Sequence, residues 1–544
     1  MEEKNIRLLD SQFASFLARR SQLAGRERKQ FQELVCRLSV GLAAGDSYLP
    51  VTNGEEDLVI RSGLAGAADK PLCVVEKCLY MQRDYEYEQS LAQNIRALLL
   101  HSVEMTAEES LLDALFGSVE TNETDWQKIA AKRALQQNFL IVSGGPGTGK
   151  TTTVVKILAL LQSASRKQLR IALAAPTGKA AKRLQDSINS SVQELSVPES
   201  IKESIPGTAS TLHRLLGVRR HSPFFHHNAK NPLFFDLLVI DEASMVDLAL
   251  MAKLVAALKP GSRLILLGDK DQLASVESGT VLADMIGSLP GNTVELQKSY
   301  RFDKGIKRFA HAINTGDATS AWSLMLGGLP ENVSLLEGDV AVYGGEMYCK
   351  YMEAVGEITS IDDFKGLFQV FHSFKILCAL RHGPAGVSGI NAAVEKFLTG
   401  KGFDCFGTEW YPGRPVIITR NEYSLDLYNG DMGICLPDPE NPDSIKVWFE
   451  RTDGSFQGVL PGRIGSCETV YALTIHKSQG TEVGEVLVVL PEKESTLVTR
   501  ELLYTAVTRA RTSVKVSSSR NVFDCAVAEK IDRHSGLGKR LVGK

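Results

Sequence analysis

Apolar residues recur along the chain in two patterns, and the change between them divides the sequence. Up to about residue 118 they follow helical spacing, as in DSQFASFLARR and EYEQSLAQNIRALLL. After that point, short apolar runs of strand length alternate with helical segments. We therefore predict a small helical N-terminal domain at 1–118, which we interpret as a docking module, followed by α/β structure.

The strand-like runs form two series. The first consists of FLIVSG (139–144), RIALAAP (170–176), LLVIDEAS (237–244) and RLILLGD (263–269). The second consists of FKILCAL (374–380), VYALTIHKS (470–478), GEVLVVLP (484–491) and SVKVSSS (513–519). Strands of parallel sheets are buried on both faces and so read as continuous apolar runs. Two tandem α/β domains, at 119–300 and 301–544, are the simplest interpretation.

Two segments interrupt these domains. Residues 404–465 contain short strand-like runs separated by turn signals, which predicts a small β-barrel-like insertion in the second domain. Residues 217–236 mix Arg, His and Phe with turn residues, and we predict a hairpin insertion in the first domain.

Composition places the chain among globular proteins, since 44% of its 544 residues are hydrophobic and 23% are charged. Its apolar runs fall short of the roughly 18 residues of a membrane span, and the first residues, MEEKNIRLLD, do not resemble a signal peptide. We expect a soluble cytoplasmic protein with no membrane partner. Because the net charge is −3, any contact with nucleic acid must come from local basic patches.

The segment GGPGTGKTT carries the clearest chemical signal. It fits the phosphate-loop pattern G-x-x-x-x-G-K-[ST] and lies between an apolar run and a helical segment. The glycines let backbone N–H groups face a phosphate, Lys150 can reach the β- and γ-phosphates, and the Thr151 hydroxyl can bind Mg²⁺. The predicted nucleotide-binding residues of this segment are Gly144, Gly145, Pro146, Gly147, Thr148, Gly149, Lys150, Thr151 and Thr152.

Polar residues that follow later strands suggest phosphoryl-transfer chemistry. Asp241 can hold Mg²⁺, and Glu242 can orient and deprotonate an attacking water. The amide of Gln272 can bond a γ-phosphate and lose that bond on hydrolysis. Arg301 lies just beyond the first series of strands, and Arg509 lies on a helical segment that leads into the last strand of the second series. Both can stabilise the charge of the transition state. An acid pair that arises by chance, a simple turn and surface arginines are the structural alternatives.

Three further motifs place polar and basic residues where single-stranded DNA could track. A structural role stays open for each of them, above all for the histidines. The predicted DNA-binding residues are Thr177, Lys179, Lys182 and Arg183 in APTGKAAKRL, Thr211 and His213 in STLHRLLG, and Thr474, His476 and Lys477 in TIHKSQG.

Eight motifs in this order, GGPGTGKT, APTGKAAKRL, STLHRLLG, DEASM, GDKDQL, SYRF, TIHKSQGTE and LLYTAVTRAR, resemble the motif series of superfamily 1 DNA helicases. More narrowly, they resemble the RecD family, the alpha subunits of exodeoxyribonuclease V, the RecBCD complex. The similarity covers about 120–520. It implies two tandem RecA-like P-loop NTPase domains that bind ATP between them and move 5′ to 3′ along single-stranded DNA.

The resemblance also implies roles for single residues. Lys150, Thr151 and Asp241 would bind phosphate and Mg²⁺, and Glu242 would be the catalytic base. Gln272 would sense the γ-phosphate, Arg301 and Arg509 would act as arginine fingers, and Glu482 would face the nucleotide. Gln127, in DWQKIAAKRAL, would recognise adenine.

The implied setting is the processing of duplex DNA ends in double-strand-break repair and recombination, together with RecB-like and RecC-like subunits. We find no compact acidic cluster typical of a metal nuclease, so nuclease activity is expected from a partner. A stand-alone RecD-like helicase is the first alternative, although the chain shows no helix-hairpin-helix extension of the kind that longer relatives carry. A nucleotide-dependent subunit that clamps DNA without unwinding it is the second, and an ATPase unrelated to nucleic acid is the weakest.

Overall fold

The computed structural model describes residues 6–66, 69–100, 105–117, 124–275, 277–298, 304–327, 332–405, 409–422, 424–451 and 454–543. Within these residues, four sheets and the helices around them form the fold. No helix among them combines the length and the apolar character that crossing a bilayer requires.

The N-terminal region contains helices and one small sheet. Its elements are α1 (Leu8–Arg20), α2 (Gly25–Ala44), β1 (Leu49–Pro50), α3 (Asn53–Arg61), β2 (Leu72–Val75), β3 (Cys78–Met81), α4 (Gln82–Leu100) and α5 (Glu109–Phe116). The antiparallel strand order is β1-β3-β2. Helical periodicity predicted α1 and α4 but missed this sheet, because strands of two to four residues are too short to establish a period.

The first α/β region follows. Its elements are α6 (Trp126–Gln136), β4 (Phe139–Ser143), α7 (Lys150–Ala164), β5 (Ile171–Ala175), α8 (Gly178–Gln193), α9 (Glu199–Ser204), β6 (Ser210–Thr211), α10 (Leu212–Leu216), β7 (Leu237–Ile240), α11 (Leu248–Ala256), β8 (Arg263–Gly268), α12 (Val281–Ser288) and β9 (Thr293–Glu295). All pairs of the sheet, ordered β6-β5-β7-β8-β4-β9, are parallel. The four predicted strands β4, β5, β7 and β8 are its buried centre, which confirms that part of the prediction.

The second α/β region contains another parallel sheet, ordered β10-β19-β18-β11-β17. The elements up to the insertion are α13 (Lys304–Thr315), α14 (Ala318–Leu326), β10 (Val333–Leu335), α15 (Val340–Gly356), α16 (Phe364–Ser373), β11 (Phe374–Cys378) and α17 (Val387–Gly400). The insertion holds β12 (Pro415–Ile418), β13 (Met432–Asp438), β14 (Asn441–Glu450), β15 (Phe456–Val459) and β16 (Cys467–Thr469). The chain then continues through β17 (Ala472–Thr474), β18 (Val483–Val489), α18 (Arg500–Val507), β19 (Ala510–Ser517), α19 (Arg520–Ala528) and α20 (Leu537–Val542). The two parallel sheets confirm the predicted α/β class.

The insertion is an antiparallel sheet ordered β15-β14-β13-β12-β16. One face has its own small core of apolar side chains, and the other packs on α16 through aromatic pairs such as Phe364 with Trp448, whose ring centroids lie 4.9 Å apart. Its shape among the described residues is thus a packed sheet attached to the second region.

Residues 217–236, predicted as a hairpin, contain two isolated antiparallel bridges in place of paired strands. Phe225 and Phe235 pack against a hydrophobic core of the first α/β region, whereas Phe224 and Phe234 are exposed. The aromatic residues therefore anchor this segment on one side only.

The C-terminal segment returns to the first α/β region. Leu537 and Leu541 on α20 are buried beside α4 and α12. The fully buried carboxylate of Glu88 on α4 accepts hydrogen bonds from the Ser47 hydroxyl at 2.5 Å and the Gly536 N–H at 2.9 Å. We propose that the chain divides at the predicted boundaries into 1–118, 119–300 and 301–544, which separates the N-terminal sheet from the two parallel sheets. Helices α4 and α20 belong to the first and third parts by sequence, but both pack on the second part.

We expect Leu537→Ala to lower the free energy of unfolding of the first region by about 2–5 kcal/mol, because it leaves a cavity in a closed core. Val542→Ala, on the same helix but with a side chain that is 54% exposed, should cost less than about 0.5 kcal/mol. Urea denaturation of both variants measures the difference. Equal effects would mean that α20 is only loosely docked.

Candidate nucleotide and DNA site

The phosphate loop joins β4 to α7 and turns through glycines. Gly147 and Gly149 have φ angles of +76° and +80°, in the left-handed region that favours glycine. A side chain at Gly149 would also come within 2.9 Å of the Gln127 amide, which places Gln127 against the loop. Because α7 begins at Lys150, its first N–H groups lack intrahelical acceptors and can receive an anion.

The ammonium group of Lys150 lies inside the loop. It donates to the carbonyl oxygens of Gly144 at 2.6 Å and Gly145 at 3.0 Å. Burial lowers the pKa of Lys150, while the carboxylates of Asp269 and Glu242 act in the opposite direction. The ammonium group thus lies where nucleotide phosphates would bind, and the negative charge of a phosphate would offset the cost of burying the cation.

The acid pair lies at the end of β7. Glu242 has a φ of +51°, unusual for a residue with a side chain, and its N–H donates to Asp241 Oδ1 at 2.9 Å. Backbone strain of this kind costs about 1–2 kcal/mol and collects at functional sites. Burial, and then the charge of Glu242, raises the pKa of Asp241 to about 6. The turn presents both carboxylates to the same cleft.

The second α/β region supplies an arginine directly after α18. The Arg509 guanidinium, 2% exposed, donates to Gln272 Oε1 at 2.9 Å and to the Thr505 carbonyl at 3.0 Å. The Gln272 amide donates to Asp269 at 3.1 Å, and the Tyr504 hydroxyl donates to the same carboxylate at 3.1 Å. Residues predicted from separate motifs therefore meet across the two regions. No sequence signal had assigned a role to Tyr504.

These groups line one cleft between the two α/β regions. Its lining residues are Pro146, Gly147, Gly149, Lys150, Thr151, Thr152, Arg183, Ser187, Asp241, Glu242, Gln272, Glu482, Thr508 and Arg509. The predictions missed Ser187 and Thr508, which lie beside predicted motifs but have no distinctive pattern of their own. Thr148 is buried and shapes the loop, since its hydroxyl donates to the Gly145 carbonyl at 2.8 Å. Arg301 lies outside the described residues.

The donor set fits Mg²⁺. The Thr151 hydroxyl and the Asp241 carboxylate line the same cleft, and oxygen ligands of this kind suit a hard cation that is also bound by phosphates.

The three threonines predicted to contact DNA each accept a backbone N–H group at the start of a helical segment. The hydroxyl oxygens of Thr177, Thr211 and Thr474 accept backbone N–H groups of Ala180 at 3.2 Å, Arg214 at 3.2 Å and Lys477 at 3.3 Å, respectively. A hydroxyl that accepts can still donate its own proton. Each threonine therefore has a structural role that leaves a donor for a phosphate.

Two of the predicted DNA-binding lysines face the β insertion. Lys179 Nζ lies 4.0 Å from Met432 Sδ, and burial lowers its pKa to about 8. Lys182 Nζ donates to the Arg451 carbonyl at 3.1 Å and lies 3.7 Å from a Glu450 carboxylate oxygen. The insertion thus adjoins the predicted DNA surface.

Arg183, predicted beside these lysines as a DNA contact, lines the nucleotide cleft. Its guanidinium is ion-paired with Glu482 and lies 3.7 Å from a carboxylate oxygen of Glu242. The attraction of two partly buried carboxylates explains this placement, which a basic sequence cluster alone did not reveal.

The remaining predicted DNA contacts lie on the surface or form ion pairs. His213 and His476 are exposed, and the His213 ring stacks edge-on against Phe225 at 5.6 Å. Lys477 Nζ binds Glu468 at 3.0 Å. Both histidine side chains are therefore accessible to a ligand.

Family models match two segments of the chain. Residues 127–278 match an AAA domain, and residues 469–516 match the UvrD-like helicase C-terminal domain. The segments coincide with the phosphate-loop half of the cleft and with the strands that lead to Arg509.

Among similar proteins, "RecBCD enzyme subunit RecD" of Mycolicibacterium smegmatis is 40% identical over 85% of this chain and 82% of its own length. "ATP-dependent RecD2 DNA helicase" of Deinococcus radiodurans is 30% identical over 92% of this chain and 67% of its own length. A solved structure of two coordinating Pif1 helicases at forked double-stranded DNA is 18% identical, covers 74% of this chain and 94% of its own, and has a TM-score of 0.41. The extent and identity of the first match show that the chain belongs to the RecD family.

Proposed function

We propose that this protein is an ATP-driven DNA helicase, the 5′-to-3′ motor subunit of a RecBCD-type complex. The observation that carries the proposal is the contact of Arg509 with Gln272 over the phosphate loop, because it joins both α/β regions at one nucleotide site. Membership of the RecD family supports the assignment.

The cleft residues divide the work of ATP hydrolysis. Lys150 and the N–H groups that begin α7 bind the phosphates. Glu242 accepts the proton of the attacking water, and Arg509 balances charge that develops on the phosphoryl oxygens. Thr151 and Asp241 would hold Mg²⁺, which would supply positive charge to the phosphates. Gln272, already bonded to Arg509, changes partners with the state of the γ-phosphate.

Motion along DNA follows from the position of the cleft. Polar and basic surfaces lie on both regions, with Lys179 and Lys182 on the first and His476 and Lys477 on the second. A nucleotide that favours one spacing of the two regions changes the spacing of these surfaces. Alternating grip on the phosphate backbone then converts hydrolysis into directed movement.

The proposed partners are single-stranded DNA, duplex ends, and RecB-like and RecC-like subunits in the cytoplasm, with nuclease activity in a partner. The mycobacterial relative is named as a RecBCD enzyme subunit, which supports this assembly. The match to a protein named as an ATP-dependent DNA helicase favours a second candidate, a helicase that acts alone.

Lys150→Gln should lower kcat for DNA-stimulated ATP hydrolysis by at least about 100-fold, because it removes a cation that stabilises transition-state charge. Lys156→Gln, on the same helix but outside the cleft, is the matched control and should retain activity. A coupled ATPase assay with and without single-stranded DNA measures both. Near-normal turnover of the Lys150 variant would refute the assignment of the site.

Glu242→Gln should bind ATP with nearly unchanged affinity but hydrolyse it about 10²–10⁴-fold more slowly, because the base is lost while the phosphate ligands remain. Single-turnover hydrolysis and equilibrium binding separate the two quantities. Glu199→Gln, an exposed change on α9, serves as the control. Loss of ATP binding would move Glu242 out of the base role.

Strand displacement tests polarity and autonomy. Purified protein with ATP and Mg²⁺ is given duplexes with either a 5′ or a 3′ single-stranded tail. Unwinding from the 5′ tail alone supports a motor that works by itself. DNA-stimulated hydrolysis without unwinding from either tail supports a motor that needs its complex, and unwinding from the 3′ tail alone contradicts the proposed polarity.

A further inference from the structure

Helix α8 lies where three parts of the molecule meet. At its N-terminal end, a side chain added at Gly480 of the second region would lie 3.4 Å from Ala180 Cβ. Two residues later, Lys182 contacts Glu450 and Arg451 of the insertion. These contacts place α8 between the predicted DNA surface and the nucleotide cleft.

Arg183 adds a charged contact from the same helix. Its guanidinium pairs with Glu482, which belongs to the second region and whose side chain is 7% exposed. It also lies 3.7 Å from Glu242 of the first region. One cation thus serves two carboxylates that come from opposite sides of the cleft.

Arg511 provides an internal comparison. It binds the other oxygen of Glu482 at 2.9 Å, but its own side chain is 62% exposed and does not line the cleft. Glu482 therefore has one arginine inside the nucleotide cleft and one outside it. Any role that only balances the charge of Glu482 is shared by both arginines.

Of the two arginines that bind Glu482, only Arg183 lines the cleft, so only Arg183 could release Glu482 and bind a phosphate in its place. Lys150 and Arg509 line the same cleft, so a polyanionic nucleotide would enter among three cations. A planar guanidinium can bind phosphate through two parallel hydrogen bonds as readily as carboxylate. A phosphate that draws Arg183 from Glu482 breaks a contact between the two regions.

We propose that Arg183 binds a phosphate in the nucleotide cleft, and that α8 thereby links nucleotide binding to the predicted DNA surface. The inference rests on the proposed function, because it deepens the role of the same site. Lys179, Lys182 and Arg183 lie at i, i+3 and i+4 on one rigid helix, so DNA at the lysines and nucleotide at the arginine act on the same element. Thermodynamic linkage then requires each ligand to change the affinity of the other by the same factor.

The first test is the affinity for a fluorescent, non-hydrolysable ATP analogue. Arg183→Gln should bind it at least about tenfold more weakly, as expected when a charged hydrogen bond is lost. Arg511→Gln should weaken binding by less than about twofold, as expected of an exposed ion pair. Arg183→Lys, which keeps the charge, should restore part of the loss. Equal affinities of the Arg183→Gln and Arg511→Gln variants would overturn the proposal.

The second test measures linkage through the dissociation constant of a single-stranded oligonucleotide, with and without the analogue. In the wild-type protein, the dissociation constants with and without the analogue should differ. Their ratio should approach one in Arg183→Gln and stay at the wild-type value in Arg511→Gln. A normal ratio in Arg183→Gln would exclude the coupling role. Thermal melting checks that each variant is folded. Wild-type protein that binds no single-stranded DNA would instead contradict the proposed function itself.

Discussion

The nucleotide cleft depends on one hydrogen bond across the two α/β regions, from the buried guanidinium of Arg509 to Gln272. Buried charge is costly unless it is bonded, and here the Thr505 carbonyl and the Gln272 amide oxygen both accept from the guanidinium. Gln272 in turn donates to Asp269, which also receives the Tyr504 hydroxyl. The network crosses the interface twice, so a change in the spacing of the two regions would disturb all of its members.

The same interface buries several ionisable groups, and burial disfavours the charged form of each. Burial raises the pKa of Asp269 to about 6, as it does for Asp241, and lowers the pKa of Lys150 and Arg509. Each shift disfavours the charged form of the group. Nucleotide phosphates and their metal ion would bring charges of the opposite sign to several of these groups. The site is therefore built for a ligand, and the binding of that ligand would offset the cost of its own burial.

The basic cluster of helix α8 is divided between two environments. Lys179 and Lys182 extend to the β insertion, whereas Arg183 points into the cleft. The nucleotide site and the predicted DNA surface consequently share one helix. The C-terminal segment, anchored on Glu88 of α4, ties the end of the second region back to the first. The two regions are thus joined both at the cleft and through the C-terminal segment.

The sequence by itself determined the parallel sheets and the phosphate loop, because continuous apolar runs and a glycine turn before a helix are local patterns. Motif order indicated that Lys150, Glu242, Gln272 and Arg509 serve one reaction. Only the tertiary structure decided that Arg183 belongs to the cleft, since its position depends on carboxylates 59 and 299 residues away in the chain. It alone decided that the insertion contacts Lys179 and Lys182 and that α20 docks on the hydrophobic core of the first α/β region, because contacts between distant segments follow from packing and have no local signature.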